Sequence, residues 1–238
     1  MTFDGIISLG IACIEFIYLF NALLFAKKNL LNKILMLQLL LLLVYQTIEF
    51  FICFVGLRQQ LIVYFAFFDI TFLPPIALYS VLLFSEKLKP YHKFIFIPAI
   101  FFIVYYPFVL DQFAVTKCTV LYASYHYPLG DIYAIFYYLP IIGSMIILNK
   151  KWGRDANPKQ KAQTRLLFFG YLFTFIPAMI FAILIPSFIS AVESLLCKMA
   201  FVLATFVTIF LLNDRNRNIL SLIGFLSNGN NSKHISNN

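Results

Sequence analysis

Apolar residues in this chain do not alternate with polar ones; they run on. Seven stretches, at about 5–26, 32–54, 61–84, 94–110, 132–149, 165–186 and 190–212, are almost free of charge. A helix of about 20 such residues crosses a hydrocarbon core of about 30 Å. The pattern predicts an all-α membrane protein with a seven-helix transmembrane domain over 1–212. The fourth run is short, stopping at Tyr106-Pro107, and only Pro186–Ser190 separates the sixth from the seventh. Beyond it, 213–238 reads as a tail: Ile219, Leu222, Ile223 and Leu226 outline a short amphipathic segment, and a polar end expected to be disordered follows.

The polar positions inside those runs are the informative ones. Glu15, Glu49, Asp69 and Glu193 are acids at membrane depth, and Lys198 is the one cation there. Each such charge costs about 2.5–3.5 kcal/mol on insertion scales, so intramembrane ionisable groups point to function. In the second run Gln38, Tyr45, Gln46, Glu49 and Cys53 recur every three to four residues and form one polar stripe. In the third, Asp69 precedes a double proline, Pro74-Pro75. Those prolines leave the Ile70 and Thr71 carbonyls without their i+4 donors and mark a candidate hinge. Glu193 and Lys198 are five apart, about 140° around a helix, so the counter-ion of Lys198 is expected on another helix, with Asp69 or Glu49 first.

Charge orients the bundle. Of 18 Lys and Arg, 15 fall on one set of alternate connections (27–33, 87–93, 150–165 and the tail), leaving Arg58, Lys117 and Lys198. The positive-inside rule then puts the N-terminus outside and the C-terminus in the cytoplasm. With a rise of about 1.5 Å per residue, Glu15, Glu49, Asp69 and Lys198 all fall about 8–15 Å below the outer ends of their spans. One shared site in the outer half of the bundle is expected. The only long outer connection, 111–131, carries Tyr122, Tyr125, His126 and Tyr127, which suit the headgroup interface.

Composition excludes other classes. At 62% hydrophobic, 12% charged and a mean hydropathy of +0.88, the chain does not read as a soluble domain. Its net charge of +8 comes from loop cations and does not point to nucleic acid. Cys13, Cys53, Cys118 and Cys197 show no CxxC spacing and give no zinc or redox motif; the three in apolar runs read as small hydrophobes. His92, His126 and His234 lie in loops or the tail, so no metal site or cofactor is expected. No cleavable signal peptide is expected, and no kinase, DNA-binding or nucleotide-binding domain is expected after the spans.

Several stretches resemble a family of small uncharacterised seven-span prokaryotic membrane proteins. They are Gln46-Thr-Ile-Glu49, Pro75-Ile-Ala-Leu-Tyr-Ser-Val-Leu-Leu-Phe-Ser-Glu86, Tyr127-Pro-Leu-Gly130 and Cys197-Lys-Met-Ala200. That resemblance implies a fold and no activity. Asp69 with Pro75 and the late Lys198 are similar to the third-helix acid and retinal-binding lysine of microbial rhodopsins. Against it, Ala66 stands where that family has arginine, Ser194 where it has an acid, and the single Trp152 lies in a loop. The layout also looks similar to bacterial seven-span sensor modules, in topology and loop charge only.

The expected function is a non-enzymatic sensor or small-ligand-binding module of the cytoplasmic membrane. A small polar or amphiphilic ligand would arrive from the outer face into a polar pocket formed by Glu15, Gln46, Glu49, Asp69, Glu193 and Lys198. Pro74 and Pro75 would be the hinge, and a cytoplasmic signalling partner or anionic lipid would meet 150–165. The alternative is a proton-coupled carrier, although no inverted repeat of broken helices is visible. Retinal binding ranks lower. An intramembrane hydrolase ranks with it, because membrane-depth His, HxxxH and GxSxG are lacking.

Overall fold

The structure, a computed structural model, describes residues 5–120, 123–155, 157–184 and 195–213. Seven helical segments are long and apolar enough to cross a membrane, the architecture of a multi-pass membrane protein. They are α1 (Ile6–Phe25), α2 (Leu30–Phe50, closed by a π-helical turn Phe51–Val55) and α3 (Gln60–Phe84). A composite fourth span contains α4 (Ile97–Tyr105), and α5 (Gly130–Arg154), α6 (Pro158–Leu184) and α7 (Leu195–Asn213) follow. The tail and the connection between the last two spans lie outside the described residues.

The first helix packs by its small and polar side. On α1 the buried positions are Ser8, Ala12, Glu15 and Ala22, one stripe of small and polar groups. Its large apolar residues, Phe16, Ile17, Phe20, Leu23 and Leu24, face outward. Small residues let backbones approach, and lipid tails solvate the rest, so this is the arrangement a bilayer favours. The closest approach is at Gly170 of α6, where a Cβ would stand 2.9 Å from Cβ of Phe206 on α7. α3 is the most enclosed helix, and α4 is the least.

Prolines explain the broken fourth span. Pro90, Pro98 and Pro107 each fall in the first turn of a segment: a 3-10 turn Pro90–Phe96, then α4, then a 3-10 turn Tyr106–Gln112. Proline is tolerated in a first turn and disrupts the interior, so each one restarts the helix. Only Ala99 and Phe102 of α4 are buried.

Two expectations need correction. The connection 111–131 is not a simple interfacial loop. It holds an antiparallel pair, β1 (Ala114–Cys118) and β2 (Ala123–His126), with Val115 opposite Tyr125 and Cys118 opposite Ala123. Cys118 is joined to Cys53 at the end of α2, with their Cα atoms 5.5 Å apart, so these two cysteines are a structural pair and Cys53 is more than a small hydrophobe. Tyr125 and Phe113 are buried instead of lying at an interface. The basic stretch 150–165 is mostly helix, because α5 runs on to Arg154 and α6 starts at Pro158. Asp155 holds that short junction, accepting from Lys151 Nζ at 3.2 Å and Thr164 Oγ1 at 2.6 Å.

Candidate functional site

The stripe on α2 forms as its spacing predicts, with Gln38, Tyr45, Gln46, Glu49 and Cys53 all buried. Toward the hairpin end of the bundle it meets α1 and α7. Lys198 Nζ donates to Ser8 Oγ at 2.8 Å and to Gln46 Oε1 at 2.9 Å, and it pairs with Glu49 Oε1 at 2.8 Å. An ammonium has three donors, and all three are placed. The Gln46 amide nitrogen donates to the Cys197 carbonyl at 2.8 Å, so the side chain that receives Lys198 is itself held by α7. Of the two expected counter-ions, Glu49 is the partner.

The other acids stand apart from this pairing. Glu15 lies seven residues beyond Ser8 on the same face of α1, about 10 Å along the axis. It is 0% exposed, and neither carboxylate oxygen has a hydrogen-bond partner among the described residues. It lies within electrostatic reach of Lys198. Asp69 is buried too, and its Oδ2 has no hydrogen-bond partner among the described residues. The Cys197 thiol is within electrostatic reach of Glu15, Glu49, Asp69 and Lys198 together, which places all four around one point of α7. Glu193 lies outside the described residues.

Above this cluster the hairpin forms a cap. Gly5, at φ 77°, donates its N–H to the Thr119 carbonyl at 3.1 Å, and a Cβ there would be 3.0 Å from Cβ of Cys53. Glycine alone satisfies both the left-handed φ and the close approach. The Phe67 ring, two residues before Asp69, is surrounded by the rings of Tyr106, Phe113, Tyr125, Tyr127 and Tyr133 at centroid distances of 4.4–6.1 Å.

α3 stays α-helical through Pro74 and Pro75. The two prolines face different spaces. Pro74 borders a void of about 20 Å³ that also touches Leu196, Cys197 and Gln38. Pro75 borders a cavity of about 300 Å³ between α3, α4 and α5.

Sequence reasoning missed Ser8, the Cys197 carbonyl and the Cys53–Cys118 bond. For the last a signal existed: by the charge rule Cys53 and Cys118 fall at the same end of the bundle. It also missed a second polar meeting point, where the buried Tyr171 hydroxyl of α6 meets Gln38, Ser80 and Ser144 from three other helices. Hydroxyls and amides carry no insertion cost comparable to a charge, so they do not stand out in a hydropathy pattern. No group of three or more metal-ligating side chains occurs among the described residues. No family model, no curated protein and no solved structure matches the chain.

Proposed function

We propose that this is a non-enzymatic sensor or small-ligand-binding module, with the α1–α2–α7 network as its responsive element. The carrying observation is Glu15, fully buried within electrostatic reach of Lys198 and with no hydrogen-bond partner among the described residues. Lys198 is already saturated by Ser8, Gln46 and Glu49. Glu15 and Asp69 are therefore buried within electrostatic reach of Cys197 without partnering Lys198, and their carboxyls have capacity for a proton or a polar ligand. Buried ionisable groups of this kind mark functional sites by default.

The protein sits in the cytoplasmic membrane of a prokaryotic cell with the hairpin end outside. Two independent features support that orientation. The cations concentrate at the opposite end, and the Cys53–Cys118 bond belongs in an oxidising compartment. Signal output passes to a partner, or to anionic lipid, at the basic ends of α5 and α6 over 150–165.

The function is tested with purified protein in nanodiscs, melted against a panel of small polar and amphiphilic compounds at acid and neutral pH. A compound that raises the midpoint of the natural protein, and not of Glu15→Gln, supports the reading. No response from any compound, together with solute uptake into proteoliposomes, would replace it with the proton-coupled carrier. Cysteine labelling tests the orientation: residues in 150–165 should react only from the cytoplasmic side.

A further inference from the structure

The cavity of about 300 Å³ between α3, α4 and α5 shares no lining residue with the Lys198 network. Pro75, Pro98 and Pro140, one from each helix, line it. Proline in a helix interior removes a backbone hydrogen bond and disturbs the regular turn, and Pro75 and Pro140 are both interior to their helices. The volume is at the lower end of the roughly 300–1,000 Å³ range of ligand pockets.

Its walls define the chemistry. The aromatic rings of Phe102, Tyr133 and Tyr137 form one side. Thr71 Oγ1 and the Tyr133 hydroxyl, 3.0 Å apart, put a hydrogen-bonded pair on the wall. Thr71 also donates to the Phe67 carbonyl, which fixes Tyr133 as the donor between the two hydroxyls. No charged residue lines the cavity among the described residues. An occupant is therefore uncharged, because a desolvated charge would meet no counter-ion here.

Its position defines the route. Phe94, Phe136 and Leu139 line the same space and are exposed, Phe94 at 68%, on helices whose outward faces are apolar. The mouth thus opens sideways, where lipid would be. Along the bundle axis toward the hairpin stand the packed aromatic rings around Phe67. The least buried wall is α4, where only Ala99 and Phe102 are buried.

We infer that this cavity is a binding site for a neutral amphiphile with a compact apolar body and one hydrogen-bonding group, entering laterally from the bilayer. The proposal does not depend on the sensor reading.

The test uses the full chain in nanodiscs and a diazirine-bearing octanol, with adducts mapped by mass spectrometry. Adducts should concentrate in Thr71–Leu78 and Tyr133–Pro140 and fall away under excess unlabelled octanol. Ala99→Phe should remove them by filling the space. Tyr133→Phe, which keeps the ring, should weaken competition about fivefold, the equivalent of ~1 kcal/mol for one hydrogen bond. Adducts spread over outward residues such as Phe16 and Leu24, without competition, would overturn the site. Equal labelling by diazirine-bearing octanoate would overturn the selection for a neutral ligand. Full competition by a bilayer phosphatidylcholine would show an acyl chain as the occupant and overturn the proposal.

Discussion

The two sides of α3 are built on opposite principles. Toward α1, α2 and α7 stands a buried polar network in which Lys198, Glu49, Gln46 and Ser8 are linked at 2.8–2.9 Å. Toward α4 and α5 the space is left open, and its wall is aromatic rings and prolines. Adjacent residues face the two regimes: Pro74 borders the void at Cys197, and Pro75 borders the open cavity. The difference teaches where rigidity and adaptability can coexist in one bundle. A saturated buried ion network has one good geometry, because every departure leaves a charge unpaired. An apolar gap beside a short proline-broken helix has many.

The largest effect should come from breaking the closed side. Lys198→Met leaves Glu49 buried without its cation and should cost about 3–5 kcal/mol. Lys198→Met combined with Glu49→Gln should cost less than that single change, read from unfolding midpoints. Additive losses would mean that the pair is not the lock described here.

The hairpin comes next. Cys53→Ser, Cys118→Ser and the double variant should each lose about 2–4 kcal/mol, equally, because any one removes the same cross-link. A larger loss in the double variant would show that the thiols act separately. At the same corner, Gly5→Ala should cost about 1–2 kcal/mol, since it forces a side chain into a left-handed φ against Cys53. A neutral melting curve would deny that the cap packs this tightly.

The smallest effect sharpens the contrast between paired and unpaired acids. Asp69→Asn and Lys198→Met should be additive within about 0.5 kcal/mol in a double-mutant cycle, because no direct contact joins them. A coupling well above that would move Asp69 into the network.

Much of the frame was legible from sequence. Seven apolar helical segments overlap the seven runs, although α6 starts at Pro158 where the run starts at 165, and the fourth span is broken into three segments. The stripe from Gln38 to Cys53 faces inward, as its spacing requires. The site was legible only as an inventory. Glu15, Glu49, Asp69 and Lys198 were marked by insertion cost, whereas Ser8, an ordinary residue on a span, carried no such mark. The β-pair over 114–126 was missed because Tyr125 and its aromatic neighbours resemble an interfacial belt, and only packing on Phe67 reveals them as core.

What the sequence determined by itself was which segments are helices and which residues are costly to bury. Both depend on properties counted along the chain: run length, spacing and charge. Only the tertiary structure decided that Lys198 meets Glu49 and not Asp69, that Cys53 meets Cys118, and that three prolines converge on one cavity. Those outcomes depend on how helices distant in sequence are rotated and shifted against one another. A hydrogen bond is made or lost within about 1 Å of such a shift, a precision that hydropathy does not encode.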